Sequence, residues 1–551
     1  MQDLTDWSEK KIYDECLKMT KYLVSIPSVN STKGEVIVAD SIIDKLKELP
    51  YFKSHPEYVI EQQITGDKLG RKNVFALVRG CGERTIILHG HIDTVDVDNY
   101  EELAPYAFDI DGITHKMAEK GKDKEIENDI QSGYIFGRGS CDMKCGDALN
   151  FALLHYFSEH TDELNGNLIF MANPDEEKLH EGVIAAVSML DKFKEFYGFS
   201  YLCAISTDTV LPEYAGDKGR YVYLGAVGKV LPAVYILGKE THIGECFEGI
   251  DSTALAARIA SRIHMNMDFS DYGEDCASLP PSLLRLQDNR EGYSVNTALW
   301  TYMYFNFLIY NSTAEEIIDR IKGIVSEEVK NALTSQYQNS IKYSEKNFQG
   351  HSETNSDFQI MTFSELDQRA REYDPKAYET AYRKIKASGD TDVRDKSRIL
   401  VNDLLKVAGI NENAAVILLA PPYMPHNTLD DSVTDEKKLH VYINKIINEF
   451  NDKEKTNIKP KKYYVSLSDS SYLKCDDPQY SIDCMKNNLA GYDAFYNLPL
   501  DEIKQINIPA LNFGCYGKDA HRATERLDVN YSFRVLPKLM AMFIMNSFID
   551  I

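Results

Sequence analysis

The sequence predicts a layered α/β protein whose sheet domain is discontinuous, split by an inserted α+β domain. Two observations predict it. Over roughly the first 220 residues, short apolar β-rich runs alternate with segments carrying apolar residues at helical spacing, as in a sheet covered by helices. From about Gly225 this gives way to aromatic strands and long polar helices, and the first pattern returns only after Tyr464.

The elements follow in order. Candidate strands at 74–78, 85–88, 168–172 and 202–206 are apolar without alternation, which suits a sheet buried on both faces. Helical spacing covers 147–159 and 181–197. Strands at 221–227 and 230–237, a helix at 252–263, an aromatic strand at 299–310 and a helix from 314 to about 334 follow. Residues 335–409 are polar, charged and largely helical, an elaboration without a chemistry-bearing motif. A strand at 414–420 reads as stopped by Pro421 and Pro422; a helix at 434–450, strands at 464–467 and 508–513 and a C-terminal helix complete the chain. The expected division is 1–224 and 429–551 for the sheet domain, with 225–428 as the insert.

Composition narrows the function. The chain carries 61 basic and 85 acidic residues, a net charge of -24, with no dense Lys/Arg cluster. That disfavours nucleic acid and anionic membrane as partners. No run approaches the roughly 18 apolar residues of a membrane helix, and the N-terminus lacks the apolar core of a signal peptide. Ten cysteines without such a signal point to reduced thiols and a cytoplasmic location. Cys141 and Cys145 read as small space-filling residues.

Five segments place metal-type ligands just past an apolar strand or at a tight turn. His91 and Asp93 follow the first central strand; His91 can bind a cation through one ring nitrogen while Asp93 accepts the other N–H. Asp142 lies in a Gly137/Gly139 turn before a helix, where a carboxylate can bridge two cations or merely cap the helix. Asp175, Glu176 and Glu177 crowd a strand end; the functional reading makes one Glu a ligand and its neighbour a base, the plain reading a solvated acidic loop. Asp208 ends another strand, and His521 sits in a loop after the last. Each is weak alone. Together, two His and three carboxylates suit a pair of divalent cations about 3.5–4 Å apart, with zinc favoured by the N/O donors and cobalt or manganese compatible.

These segments, in this order, resemble metallopeptidase family 20, the group of aminoacylases, acetylornithine deacetylases, succinyl-diaminopimelate desuccinylases and di-zinc carboxypeptidases. HGHIDTV, GRGSCDMK, DEE and HRATE resemble its metal and base motifs, and Gly238 to His242 its GKxxH lid segment. Length and the long elaboration are most similar to the RocB-like arginine-utilisation proteins of that family. The resemblance implies a phosphorylase/hydrolase-like layered α/β zinc-peptidase domain with the insert as a lid. It makes His91 and Asp208 ligands of one metal, Glu177 and His521 of the other, and Asp142 the bridge, with a cis peptide joining Asp142 to Met143. It makes Glu176 the general base and Asp93 the partner that orients His91. His242 would stabilise the oxyanion, and Asn296 would contact substrate. It also implies a homodimer through the lid, with the site completed in trans. One departure stands out: family members that bind a free substrate carboxylate usually carry an Arg on the lid strand after the Asn, and residues 300–316 contain neither Arg nor Lys.

The expected function is two-metal hydrolysis of an amide or peptide bond in an N-acyl amino acid or short peptide, with an arginine- or ornithine-related substrate suggested by the resemblance. The alternative is a metal-binding, non-hydrolytic or regulatory protein on the same scaffold, which would have no chemical need for Glu176 beside the ligands. A cysteine hydrolase using Cys141 would need a histidine that is not already a ligand.

Overall fold

A computed structural model describes residues 6–121, 123–273, 277–347, 357–389, 391–464 and 468–550. They form a mixed α/β structure in two compact units. The first comprises Met1–Val227, His426–Cys475 and Pro499–Ile551; the second comprises Gly228–Pro425 and Asp476–Leu498.

The first unit is built on an eight-stranded sheet. Its order is Val59–Gln63, Lys72–Arg79, Asn167–Asn173, Arg84–His91, Ser200–Ser206, Ala510–Asn512, Arg220–Tyr223 and Ile458–Lys461. The four central strands run parallel: Arg84–His91 pairs with Asn167–Asn173 on one side and Ser200–Ser206 on the other, and Ala510–Asn512 pairs with Ser200–Ser206. Parallel strands deliver their carboxyl ends to one edge, and whatever follows them in sequence is gathered there. The apolar runs explain why these segments are central: Ile86, Leu88, Leu168, Phe170, Cys203 and Ile205 are all fully buried, each contributing on the order of 1.5–3 kcal/mol. Helices Gly34–Glu48, Lys144–Glu159, Thr434–Glu454 and Leu536–Asp550 bury Ile42, Leu149, Ile443 and Phe543 in the same core.

The second unit carries a five-stranded sheet ordered Ser282–Asp288, Trp300–Ile309, Gly228–Leu237, Ala414–Met424 and Gln359–Thr362. Tyr235, Tyr302, Leu400, Leu404 and Leu418 form its core. Helix Ala314–Lys346, started by a Thr313/Glu316 capping box, runs well past residue 334.

Three sequence expectations change. The strand read as ending at Ala420 continues through Pro421 and Pro422 to Met424. The ladder is irregular between Ala420 and Met424, so the missing proline N–H groups fall where no regular bond is required. The elaboration contains a strand, Gln359–Thr362, hidden among polar residues because it lies at a sheet edge. Segment 476–498, read as sheet-domain sequence, belongs to the second unit: Ala490 donates its N–H to the Leu419 carbonyl, Ser364 donates to Asn488, and the Tyr423 hydroxyl donates to Asp477 at 2.6 Å. At 464–467, Tyr464 makes an isolated bridge to Ala226, and 465–467 lie outside the described residues.

A β-carbon at Gly514 would strike the main-chain oxygen of Asp208 and lie 2.6 Å from Val210 Cγ2. Gly514→Ala is therefore expected to destabilise by about 1–3 kcal/mol, measured as a lower unfolding midpoint. Gly292→Ala, which meets open space, leaves the midpoint unchanged.

Candidate metal centre

The sheet edge gathers the first unit's polar residues. His91 ends its strand with 2% exposure; Asp175, Glu176 and Glu177 follow Asn173; Asp208 follows Ser206. Asp142 lies in the turn before helix Lys144–Glu159, and the Asp142–Met143 peptide is cis. His521 occupies the loop between Gly517–Lys518 and Arg526–Asp528, with its side chain half exposed. Asp175, His180, Asp519 and His521 all have left-handed φ values, between 57° and 72°. Such non-glycine conformations cost of order 1–3 kcal/mol and persist where surrounding contacts over-determine them.

Asp142 is the centre of the arrangement. Its Oδ1 lies 3.3 Å from His91 Nε2 and its Oδ2 lies 3.2 Å from His521 Nε2. The two sets His91/Asp142/Asp208 and Asp142/Glu177/His521 each bring their donor atoms within 4.8 Å of one another, and they share Asp142. His521 Nε2 is also 3.0 Å from Glu177 Oε1, and Glu176 Oε2 is 3.9 Å from His91 Nε2. Imidazole nitrogens and carboxylate oxygens clustered in this way fit two divalent cations.

Burial and charge crowding shift the ionisation of these groups. Burial pushes the Asp208 carboxyl up to about 7, helped by the neighbouring Asp142, and burial raises Glu176 and Glu177 as well. Burial would also raise Asp142, but hydrogen bonds from His521 and His91 outweigh it and hold that carboxyl low. Asp142 and Glu177 raise the His521 ring to about 11.

A surrounding layer fixes the donor segments. Asp93 accepts the N–H groups of Glu176 at 3.1 Å and Glu177 at 3.2 Å, and the Asn30 side-chain amide at 2.8 Å. His91 Nδ1 is 3.1 Å from the Asp93 main-chain oxygen and 3.6 Å from its carboxylate, so Asp93 grips the Glu176–Glu177 loop more closely than the His91 ring. Arg71 is buried and salt-bridges Asp175, Asp67 and Glu181. Glu525 accepts the N–H groups of Cys141 and Asp142, both at 3.3 Å, and salt-bridges the buried Arg138. Arg138 donates to Asn99, whose amide donates to the His521 main-chain oxygen at 2.6 Å. This ties the Asp142 and His521 segments together.

His242 and Asn296 belong to the second unit, where they face each other in an isolated antiparallel bridge. His242 Nδ1 accepts the Gly244 N–H at 3.1 Å, and the Asn296 amide donates to Glu240 at 3.3 Å.

The sequence reading passed over His180 and Asp469, whose donor atoms lie with that of Glu176 within 4.8 Å of one another. Asp469 carried the same signal as Asp208, a carboxylate just past a predicted strand. His180 carried none, because only the turn after Glu177 brings it back to the edge.

The fold and the paired donor sets define a layered α/β protein with a candidate two-cation centre. A profile of peptidase family M20/M25/M40 matches residues 87–543, and the chain belongs to that family of hydrolases. It is 37% identical over 538 residues to Protein RocB of Bacillus subtilis, covering 95% of this chain and 93% of that one. It is 28% identical over 226 residues to a succinyl-diaminopimelate desuccinylase of Aliarcobacter butzleri, covering 41% of this chain and 52% of the other. Its fold is similar to an M20 metallo-carboxypeptidase from Sulfolobus solfataricus, with a TM-score of 0.51 at 12% identity over 97% of this chain and 99% of that one. A tripeptidase from Staphylococcus aureus gives 0.50 at 14% identity over 97% and 98%. Among the described residues no helix is long and apolar enough to cross a membrane.

Cations bound through His521 would displace the proton that the site's carboxylates hold on it. In metal-free protein the His521 contribution to stability is complete below its ordinary 6.5 and is lost as pH rises through about 11. Affinity for divalent cations is correspondingly expected to strengthen as pH rises over that interval. Titration calorimetry in buffers of different ionisation enthalpy should show net proton release on binding at pH near 8.

Proposed function

We propose that the chain hydrolyses an amide or peptide bond of a small substrate, an N-acyl amino acid or short peptide, using two divalent cations, zinc by preference. The observation that carries this reading is Asp142, whose two oxygens face His91 and His521 and so link two donor sets. His91 and Asp208 would complete one set, and Glu177 and His521 the other. The cations, when bound, supply Lewis-acid polarisation of the scissile carbonyl and ease the ionisation of water.

The chain's own residues do the rest. Glu176 lies beside both sets without being needed in either, and its carboxylate takes the proton of the attacking water and passes it to the leaving nitrogen. Asp93, through the Glu176 and Glu177 N–H groups, keeps base and ligand in fixed relation. The family resemblance gives His242 the oxyanion and Asn296 a substrate contact. Likeness to Protein RocB favours a substrate derived from arginine or ornithine. A cytoplasmic setting fits the free thiols of Cys16, Cys141, Cys145, Cys203 and Cys515, all buried.

Two measurements test this. Glu176→Ala is expected to keep its metal content and lose about 10²–10⁴-fold in kcat on a panel of N-acyl amino acids and dipeptides that includes arginine and ornithine derivatives. A fully active variant would move the proton elsewhere, and no turnover by the wild type across the panel would favour a binding role. His242→Ala should lower kcat/KM with metal content unchanged; unaltered kinetics would remove His242 from the reaction.

A further inference from the structure

The Glu176 carboxylate has two basic nitrogens within 4.0 Å among the described residues: His91 Nε2 at 3.9 Å and His180 Nδ1 at 4.0 Å. The first is committed to the ligand set. The second belongs to a ring that neither the ligand set nor the proton transfer uses.

His180 is held from every side. Its Nδ1 is 2.9 Å from Asp469 Oδ1, and Asp469 Oδ2 accepts the Asn173 amide at 3.3 Å. The Tyr472 ring packs against the imidazole at 5.2 Å between centroids, and the His180 N–H donates to the Asp175 carbonyl at 2.8 Å. His180 and Asp469 are each 4% exposed. The backbone of His180 has φ +58°, a conformation in which glycine or asparagine is at ease and histidine is not. An imidazole kept at a site that disfavours it, and clamped by a buried carboxylate, has a task beyond packing.

We infer that His180, clamped by Asp469, is a positioning residue that confines the Glu176 carboxylate to the orientation in which it meets the attacking water. This rests on the reading of Glu176 as the base. The Nδ1–H points at Asp469 and stands 4.0 Å from Glu176 Oε1, the carboxylate oxygen other than the one near His91. Without the ring, Glu176 can turn from the ligand set while both donor sets stay intact. A misplacement of about 1 Å in such a group can cost 10²-fold.

The left-handed backbone supplies a clean test. His180→Gly relieves the conformation while removing the ring, and His180→Asn tolerates it while putting an amide N–H near the lost Nδ1. The metal-loaded full-length protein is compared with each variant by metal content, crystal structure and kinetics on a substrate that the wild type turns over. His180→Gly should keep its metal content and KM, lose about 10–100-fold in kcat, and show Glu176 in more than one conformer. His180→Asn should recover most of the kcat and a single conformer. In a Glu176→Ala background, His180→Gly should cost nothing further.

Wild-type kcat in His180→Gly, a single Glu176 conformer there, or an additional loss in the Glu176→Ala background would overturn the proposal. So would a third metal equivalent in the wild type that the His180 variants lose, since Glu176, His180 and Asp469 would then be ligands. Full activity of Glu176→Ala sinks the base assignment itself, which separates that failure from failure of the role given to His180.

Discussion

Everything at the sheet edge is subordinate to the mutual repulsion of buried carboxylates. Asp142, Glu176, Glu177 and Asp208 share one small volume, with Asp93 directly behind them. Like charges about 4 Å apart repel by about 4 kcal/mol at an effective dielectric constant near 20, and burial adds a desolvation cost to each. A fold that assembles this must supply positive charge from elsewhere. The two histidines supply part of it, and a pair of divalent cations is the species whose charge and donor preference match the remainder.

The fixed positive charges are placed one layer back. Arg71 neutralises Asp175, and Arg138 neutralises Glu525, both beneath the segments that carry the donors. These guanidiniums hold loops in shape; none enters the donor sets. The division leaves the edge itself to groups that can lose a proton or bind a cation. It also explains how Asp175 and His180 tolerate left-handed backbone: the N–H groups that follow them, of Glu176 and Glu181, bond to the buried carboxylates of Asp93 and Asp175.

Much of this was legible in the sequence because of how parallel sheets encode themselves. A buried strand must be apolar throughout, so the residue where polarity resumes is also the one at the sheet's edge, and His91, Glu177 and Asp208 stand out for that reason. What was illegible depends on contacts distant in sequence. Arg71 reaches Asp175 and Glu181 across more than a hundred residues, and His180 meets Asp469 across 289. Neither partner looks unusual alone. The edge strand Gln359–Thr362 was concealed by its polar setting. The continuation through Pro421 and Pro422 was concealed by a rule that holds for regular ladders and lapses at an irregular one.

The position of Ala510–Asn512 between Ser200–Ser206 and Arg220–Tyr223 bears on how the protein is made. A ribosome releases the chain from its N-terminus, yet this sheet has a central gap until Asn512 has emerged. During synthesis Gly228–Pro425 of the second unit passes out before that strand, and the unit's segment 476–498 also arrives late. Neither unit can therefore close early, and apolar strand edges stay open through most of translation. Such a chain would be expected to lean on chaperones in proportion to how slowly it is translated, and to lose both units when translation stops before Asn512.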